Sequence, residues 1–449
     1  MAETEYTPKA GGVSAFLART LIFGYYRIRY AGGEVPPRGP VLLVANHTNS
    51  LLDPMIVLAA AGRSLRFLAK APLWDDWKTA WLVRLGGAIP VYRASDDPAQ
   101  MGKNAEMFAA VHQSLAAGDA VALFPEGISH SEPSLTPLKT GAARIALGAV
   151  PLVGGAFPII PVGLVFREKD IFRSEALALR GEPLVWDDLA GRGSNDGETV
   201  RLLTERITVA LRQLTVNLER WEDEPLVQCA MKVWEAEQHA VPDPAARVAR
   251  LGEATRILAA VRASPDAETS SLTRDVLAHQ RRLARLQLRP ADLVADVGLA
   301  HSAGWAGRRL SLLLPLWAAV AAVGWLFFVV PYRLTGTVVD RFTLESDTRS
   351  TWKLLLGAAI YVVWVAALAI TGGVWRGWSL GMLLVVAIPA VGLAGLLVRE
   401  RWYGAWADVR RWALLRSRRR LMDSLRSTQR DLGARLDRLF ENHAPRGTG

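Results

Sequence analysis

Short apolar runs alternate with longer mixed stretches over residues 38–190. The apolar runs predict buried strands at 40–45, 65–69, 88–92, 120–124 and 159–166. The stretches between them predict helices at 54–61, 76–84, 100–117 and 138–149. Strands that alternate with helices in this way are typical of an α/β domain with a largely buried sheet.

A helical block follows this region. Apolar residues recur every three or four positions over 196–221, which predicts an amphipathic helix. Two further helices are predicted at 245–262 and 272–288, separated by the polar linker 264–271. No motif in this block points to chemistry, so we expect it to pack beside the α/β domain or the membrane.

The composition then changes to three long stretches without a charged residue. They cover 310–330, 354–375 and 377–398, and each reaches the roughly 20 residues that a helix needs to cross a bilayer. Near the N-terminus, the apolar stretch 14–26 is too short to span. Arg27 and Arg29 follow it, so it predicts an interfacial helix or, equally, a helix packed on the domain.

The tail from Arg399 to Arg426 holds nine Arg against three acidic residues, with three Trp among them. This pattern predicts a basic amphipathic helix on an anionic membrane surface. Three spans would place this tail on the side opposite the α/β domain. The positive-inside rule places the Arg-rich tail in the cytoplasm, where the α/β domain is also expected on separate grounds. A re-entrant span or an external tail would each remove the conflict, and the sequence does not choose between them.

Composition narrows the class of partner. The net charge of +10 favours anionic partners, and the apolar stretches favour membrane lipid over nucleic acid. Cys229 is the single cysteine, which excludes an internal disulfide and a Cys-based metal site and suits a reducing cytoplasm. The first ten residues are polar and mildly acidic, which does not match a secretory signal.

These patterns divide the chain into five predicted regions. The regions are an interfacial helix region at 1–37, an α/β domain at 38–190, a helical region at 191–305, a transmembrane region of about three spans at 306–398 and a basic amphipathic tail at 399–449.

The candidate chemistry begins in the loop after the first strand of the α/β region. His47 and Asp53 lie in this strand-to-helix loop. A neutral imidazole can accept a proton from an alcohol near pH 7, and a neighbouring carboxylate can orient the ring and stabilise its charged form. The alternative is that Asp53, followed by Pro54, is only the N-cap of the next helix.

Three later motifs contribute further candidates. Arg93 follows a predicted strand and can hold a phosphate through two parallel hydrogen bonds, although a lone Arg there is often a surface residue. Glu126 and Gly127 form a Pro-Glu-Gly turn at a strand's carboxyl end, where ligands bind in α/β sheets. Lys139 precedes a predicted helix whose N-terminus favours phosphate. The apolar motif 159–163 has no reactive side chain and is expected to shape an acyl groove.

The order of these motifs resembles the glycerolipid acyltransferase superfamily, whose phospholipid/glycerol acyltransferase domain would cover residues 38–190. The resemblance rests on the His/Asp box, Gly-x-Ile-Pro-Val-x-Arg at 87–93, Phe-Pro-Glu-Gly at 124–127 and Ile-Pro-Val-Gly at 160–163. Gly181-Glu182-Pro183 matches a pattern that closes the family's domain. Five residues separate His47 from Asp53, where the common box has four. The longer box resembles fungal-type glycerol-3-phosphate/dihydroxyacetone-phosphate acyltransferases.

The resemblance implies an α/β sheet with flanking helices and direct acyl transfer from a thioester. His47 would act as general base and Asp53 would orient it, Arg93 and Lys139 would hold the acceptor's phosphate, and Glu126 with Gly127 would contact its glycerol part. The donor would be acyl-CoA or acyl carrier protein, with no metal and no other cofactor. The protein would be a multi-pass membrane enzyme with a cytoplasmic catalytic domain, acting in phospholipid biosynthesis.

Other functions stay open at this stage. The acceptor favoured by the longer box is glycerol 3-phosphate, and the alternative is lysophosphatidate, which is 1-acylglycerol 3-phosphate. A non-catalytic membrane lipid-binding protein is the alternative from a different class. A hydrolase would need a placed nucleophile, and the sequence contains no Gly-x-Ser-x-Gly elbow that would supply one.

Overall fold

A computed structural model describes residues 12–92, 102–238, 243–294, 314–342, 345 and 347–443. The chain divides into two compact units. Met1–Trp221, Pro242–Arg256 and Glu345–Thr351 form the α/β unit, and Glu222–Val241, Ile257–Leu344 and Trp352–Gly449 form the helical unit.

The described residues of the α/β unit contain a seven-stranded sheet with the order β1-β7-β6-β2-β5-β3-β4. The strands are β1 (Arg27–Gly32), β2 (Val41–Ala45), β3 (Leu65–Lys70), β4 (Ile89–Val91), β5 (Ala120–Leu123), β6 (Ile159–Phe166) and β7 (Glu175–Arg180). Neighbouring strands are parallel except for the antiparallel pair β6–β7. The predicted α/β class is confirmed, and the carboxyl ends of β2, β5 and β6 share one edge of the sheet.

The five predicted strands are all present, whereas β1 and β7 were missed. In β1, charged residues alternate with apolar ones, and in β7 only four apolar residues lie between Glu175 and Arg180, so neither strand contains a long apolar run. The central strands β2 and β5 are buried at every position because helices cover the sheet. The burial pattern follows the rule that a parallel sheet is shielded on both faces.

Helices of this unit occupy the stretches between the strands. They are α1 (Gly12–Tyr25), α2 (Leu52–Ala61), α3 (Trp77–Leu85), α4 (Asn104–Ala116), α5 (Gly141–Val153), α6 (Asp187–Ala190) and α7 (Gly197–Leu214). Helix α5 turns its alanines, Ile145 and Leu147 toward a core that it shares with Val200, Leu203 and other apolar residues of α7. The amphipathic pattern that predicted α7 is therefore its packing face.

Helix α1 packs on the α/β unit with one face and exposes apolar residues on the other, so it has features of both the packed helix and the interfacial helix predicted from its sequence. Ile22 and Tyr26 are fully buried, so the helix and the residue after it pack on the unit. Phe16 and Phe23 remain exposed on the outer side. Because β1 begins at Arg27 and joins the sheet, the α/β unit starts earlier than the predicted boundary at residue 37.

The remaining helices follow in chain order. They are α8 (Glu224–Glu237), α9 (Pro244–Ala263), α10 (Ala267–Leu286), α11 (Pro290–Val294), α12 (Leu314–Arg341), α13 (Arg349–Arg376), α14 (Trp378–Ser417) and α15 (Arg419–His443). The predicted boundary at 398/399 does not coincide with a helix end, since α14 continues to Ser417.

The apolar face of α15 is covered by protein. Leu432 and Leu436 pack with Val233 of α8 and with Leu272 and Val276 of α10 in one buried cluster. Met422 and Leu425 of the same helix are buried against Leu283, Leu288 and Leu293. The expectation that the tail Arg399–Arg426 lies with its apolar residues on a membrane is therefore wrong for residues 419–426. The apolar residues of α15 recur with the period of an amphipathic helix. Helices α8 and α10 cover them with apolar faces of their own.

Among the described residues, three helices are long and apolar enough to cross a membrane. The candidate spans are Ala322–Arg341, Arg349–Arg376 and Trp378–Arg399. These helices identify the chain as a membrane protein.

Candidate active site

The candidate site lies at the carboxyl edge of the sheet, where β2 leads into His47 and β5 leads into Glu126. These two strands are hydrogen-bonded neighbours, with Val44 opposite Leu123. The topology therefore brings together two motifs that are far apart in sequence, at the edge where α/β sheets bind ligands.

His47 and Asp53 form a hydrogen-bonded pair, with 3.0 Å between His47 Nδ1 and Asp53 Oδ2. The side chain of Asp53 is completely buried, while that of His47 retains 18% exposure. An ionised carboxylate only accepts hydrogen bonds, so the pairing assigns the proton to Nδ1 and leaves Nε2 able to accept one. This arrangement is the one that a general base requires.

Asp53 Oδ2 also accepts two backbone hydrogen bonds from its own loop. The donors are the N–H groups of Thr48 at 2.7 Å and Asn49 at 2.6 Å. The N-cap position of α2 is Leu51, and Asp53 lies inside the first turn. The alternative that Asp53 serves as the helix N-cap is therefore wrong, because its carboxylate points back at the loop.

The long His–Asp box is accommodated by a left-handed residue. Ser50 has φ +43°, a conformation uncommon outside glycine, and its N–H donates to Ser129 Oγ at 3.0 Å. The tight turn at this position takes up the fifth intervening residue, so the extra length does not separate the imidazole from the carboxylate.

A ring stack and two backbone hydrogen bonds fix the position of His47. Its ring stacks on Phe124, with centroids 4.1 Å apart and planes 17° from parallel. Its carbonyl accepts from the His130 N–H at 3.1 Å, and its own N–H donates to Glu126 Oε1 at 2.7 Å. The imidazole is therefore preorganised by the segment that follows β5.

Glu126 holds the segments around His47 together through buried hydrogen bonds. Its fully buried carboxylate accepts from the Thr136 N–H at 2.9 Å, the Thr136 hydroxyl at 2.8 Å and the His130 ring. Burial alone would raise the pKa of Glu126, but hydrogen bonds from His130, His47 and Thr136 outweigh it and lower the pKa below its usual value. The sequence predicted a contact with glycerol; in this structure the carboxylate is instead turned toward the protein.

Lys139 and Gly127 lie together at the Pro-Glu-Gly turn. Gly127 has φ +77°, and a Cβ added there would come within 2.9–3.0 Å of Cδ, Cε and Nζ of Lys139. The lysine therefore runs directly over this glycine, and its exposed ammonium group lies beside the turn that carries Glu126. Its predicted role in phosphate binding is compatible with this position.

Two other predicted elements have different outcomes. Arg93 lies outside the described residues, so its predicted phosphate contact stays a prediction. The motif 159–163 forms part of β6 and is buried. A Cβ on Gly163 would meet the Leu214 carbonyl of α7 at 2.1 Å, so close helix packing, not an acyl groove, explains this glycine.

Sequence reasoning assigned no role to several residues that organise the site. His130 and Thr136 bind Glu126, and Asn46 exchanges hydrogen bonds with the Leu164 backbone at 2.7 and 3.0 Å. Lys169 donates to the Thr48 carbonyl at 3.0 Å. The available signal was the polar run 129–132 directly after the Glu126 turn; nothing marked Lys169.

Among the described residues, no three His, Cys, Asp or Glu side chains converge as metal ligands. Asp53 Oδ2, Glu126 and Thr136 instead form hydrogen bonds with neighbouring side chains and backbone. The geometry described so far is that of a base with its orienting carboxylate, beside an exposed cation.

Comparisons with known proteins define the class. Residues 27–165 match the family model described as Acyltransferase. The chain is 37% identical over 147 residues to Glycerol-3-phosphate O-acyltransferase 2 of Saccharomyces cerevisiae, covering 32% of this chain and 20% of that protein. It is 26% identical over 279 residues to Glycerol-3-phosphate O-acyltransferase 1 of the same yeast, covering 57% and 36%.

A bacterial relative carries a different name. The chain is 31% identical over 137 residues to a Probable 1-acyl-sn-glycerol-3-phosphate acyltransferase of Mycoplasma pneumoniae, covering 29% of this chain and 47% of that protein. The chain thus spans less than half the length of each of these three relatives.

The family match runs from β1 to most of β6 and contains both His47 and Glu126, so this segment is an acyltransferase domain. With the yeast relatives, the match places the domain in the glycerolipid acyltransferase superfamily. The resemblance drawn from the order of the motifs is confirmed.

The lowered pKa of Glu126 predicts how stability depends on pH. Its contribution is fully present above the ordinary carboxyl pKa of about 4.3 and is lost as pH falls through the lower folded-state value. Thermal unfolding in detergent should therefore show Glu126→Gln less stable than wild type at neutral pH. This difference should shrink below about pH 4.

The exposed neighbour Glu132 provides the control. Glu132→Gln should unfold within a degree or so of wild type across the same range, because surface substitutions cost little. A deficit of Glu126→Gln that grew as the pH fell would contradict the assignment of Glu126 as a buried acceptor of these hydrogen bonds.

Proposed function

We propose that this protein is a membrane-bound O-acyltransferase that transfers a fatty acyl group from a thioester to glycerol 3-phosphate, in phospholipid biosynthesis. The observation that carries the proposal is the His47–Asp53 pair, 3.0 Å apart at the carboxyl edge of the sheet inside an acyltransferase domain. The names of the yeast relatives support glycerol 3-phosphate as the acceptor.

The mechanism follows from the position of the proton on His47. Nε2 accepts the proton of the acceptor hydroxyl while the oxygen attacks the carbonyl carbon of the thioester. Asp53 stabilises the imidazolium that forms. As the tetrahedral intermediate collapses, the C–S bond breaks, and the imidazolium returns the proton to the departing thiolate. The transfer is direct, so no acyl-enzyme is formed.

The acceptor's phosphate is the negative group that the site has to recognise. We assign the ammonium of Lys139 to this role, because it lies exposed at the Gly127 turn next to the Glu126 and His47 segments. Arg93 is assigned the same role from its sequence motif. The acyl thioester of coenzyme A or of acyl carrier protein is the co-substrate, and no other cofactor or metal enters the proposed reaction.

The protein is proposed to be a multi-pass membrane protein whose α/β unit faces the cytoplasm. The apolar helices supply the crossings, and the Arg-rich segment 399–426 favours the cytoplasmic side. Acyl thioesters are formed in that compartment, which is consistent with this orientation.

The second candidate acceptor is lysophosphatidate. The name of the bacterial relative favours it. Both acceptors carry the same phosphate, so binding of that phosphate by Lys139 does not distinguish them. An assay with a panel of acceptors distinguishes the first acylation from the second.

Replacing His47 tests the mechanism directly. His47→Ala should lower the transfer rate by roughly 10²- to 10⁴-fold, because general-base catalysis is lost. Asp53→Asn should also be slow, since the amide no longer stabilises the imidazolium; an N-cap role alone would let Asn substitute at little cost. The measurement is acyl transfer by purified protein, with thermal unfolding as the folding control. Near wild-type turnover by His47→Ala would overturn the mechanism.

A panel of acceptors tests the substrate. Purified enzyme with one acyl-CoA should acylate glycerol 3-phosphate in preference to lysophosphatidate, and unphosphorylated glycerol least. Lys139→Met should raise KM for the phosphorylated acceptor by about 10-fold or more while leaving KM for acyl-CoA nearly unchanged, because a charge-assisted hydrogen bond is lost.

Arg201→Met is the matched control, since Arg201 is an exposed cation on α7 whose partner is Glu205. It should leave both constants unchanged. Preference for lysophosphatidate would assign the enzyme to the second acylation, and equal use of glycerol would remove the phosphate role of Lys139.

A further inference from the structure

The His47–Asp53 loop is tied to residues from distant parts of the chain. Lys169, in the connection between β6 and β7, donates through Nζ to the Thr48 carbonyl at 3.0 Å and to Ser131 Oγ at 2.6 Å. Asn49 Nδ2 donates to the Tyr26 hydroxyl at 2.8 Å. Burial raises the pKa of Tyr26, so this phenol stays protonated and donates in turn to the Lys169 carbonyl.

The first turn of α13 and the residues just before it complete this set of contacts. Glu345–Thr351 belongs to the α/β unit. The fully buried Ser350 donates to the Lys169 carbonyl at 2.6 Å, and Thr351 Oγ1 accepts from the Leu51 N–H at 3.3 Å. Asp347 is buried as well, and its charge favours the ammonium form of Lys169 against the effect of burial.

We propose that Lys169, Ser350 and Thr351 are positioning residues that hold the catalytic loop in addition to the contacts made by Glu126. The inference rests on the proposed acyl transfer. Thr48 and Asn49 supply the N–H groups that bind Asp53, so a contact that fixes these residues also fixes the carboxylate that orients His47. We call Lys169, Ser350 and Thr351 the brace of the catalytic loop. A fragment that ended before residue 345 would lack Ser350 and Thr351.

The test compares substitutions that remove one contact with variants that keep it. Thr351→Val removes the hydroxyl and keeps the shape, whereas Thr351→Ser keeps the hydroxyl. Lys169→Met removes the ammonium. Thr371→Val is the matched control on the same helix, because the exposed Thr371 bonds only to the Ala367 carbonyl of its own turn.

For Thr351→Val and Lys169→Met we expect kcat to fall on the order of 10- to 100-fold, as for a small misplacement of a catalytic group, with both KM values nearly unchanged. Thr351→Ser should restore kcat, and Thr371→Val should equal wild type. Wild-type kcat in both Thr351→Val and Lys169→Met would overturn the brace. His47→Ala is measured alongside: full activity there would refute the proposed function instead.

A separate observation concerns the number of membrane crossings. Helices α8 and α10 precede the apolar helices, α15 follows them, and the three pack together. Trp234 Nε1 donates to Asp437 at 2.5 Å, and Gln429 Nε2 donates to Glu237 at 2.7 Å. Arg435 donates to Asp275 at 2.8 Å. Segments that share a core cannot lie on opposite sides of a bilayer.

From this packing we infer that the chain crosses the membrane an even number of times between residues 294 and 419. Three complete crossings are excluded, and α13 and α14 are the two that remain. We assign α12 as the helix that does not complete a crossing, because its candidate span, Ala322–Arg341, is the least apolar of the three and contains Arg333, Asp340 and Arg341. Thr351, in the first turn of α13, accepts from the Leu51 N–H within the α/β unit, so α13 begins on the side of the membrane where that loop lies.

Single-cysteine labelling tests this topology. Cys229 is the only native cysteine and is buried, so Cys229→Ala gives the background. Ala284→Cys on α10, Ser427→Cys on α15 and Ser379→Cys beside the Gly377 turn place thiols at exposed positions. Sealed vesicles of each orientation are treated with a membrane-impermeant maleimide, and gel filtration in detergent confirms that each variant is monodisperse.

We expect positions 284 and 427 to be labelled from the same face and position 379 from the other. Labelling of 284 and 427 from opposite faces would overturn the even count. Labelling of all three from one face would overturn the assignment of α13 and α14 as crossings.

Discussion

The structure of the site depends on one buried carboxylate. Asp53 is completely removed from solvent, and a buried charge is tolerated only where hydrogen bonds compensate for lost hydration. Two backbone N–H groups and the His47 ring supply those bonds. The loop must therefore close around the carboxylate, and this closure requires the left-handed Ser50, so the loop conformation and the orientation of the base are set by the same need.

Two further layers keep that loop from relaxing. In the first, Glu126 binds the His47 backbone and is itself held by His130 and Thr136. In the second, Lys169, Tyr26 and Ser350 in the first turn of α13 hold the loop through a connected set of hydrogen bonds. Polar groups that satisfy one another in a buried network specify a single arrangement, which is what a preorganised base needs. The side chain of Lys139, by contrast, is exposed to solvent and accessible to a substrate.

The sequence predicted the parts of this molecule that depend on local pattern. Continuous apolar runs identified β2, β5 and β6, and the motifs identified His47, Asp53 and the Glu126 turn. Strand β1 was missed because its charged and apolar residues alternate, and β7 was missed because its apolar run of four residues is too short to stand out. The direction of the Glu126 carboxylate, the support from Lys169 and the helices that cover α15 depend on contacts between residues far apart in sequence, which no local pattern records.

The α/β unit is built from segments that lie far apart in the sequence, and this has a consequence for the synthesis of the protein on the ribosome. Its sheet is complete once β7 has been made, but Ser350 and Thr351 are synthesised much later, after α12. At roughly 5–20 residues per second, the ribosome needs on the order of ten seconds to travel from residue 221 to residue 351. During that interval the catalytic loop lacks one of its supports. The nascent chain would thus complete the support of this loop only when the apolar helices are already emerging to meet the bilayer.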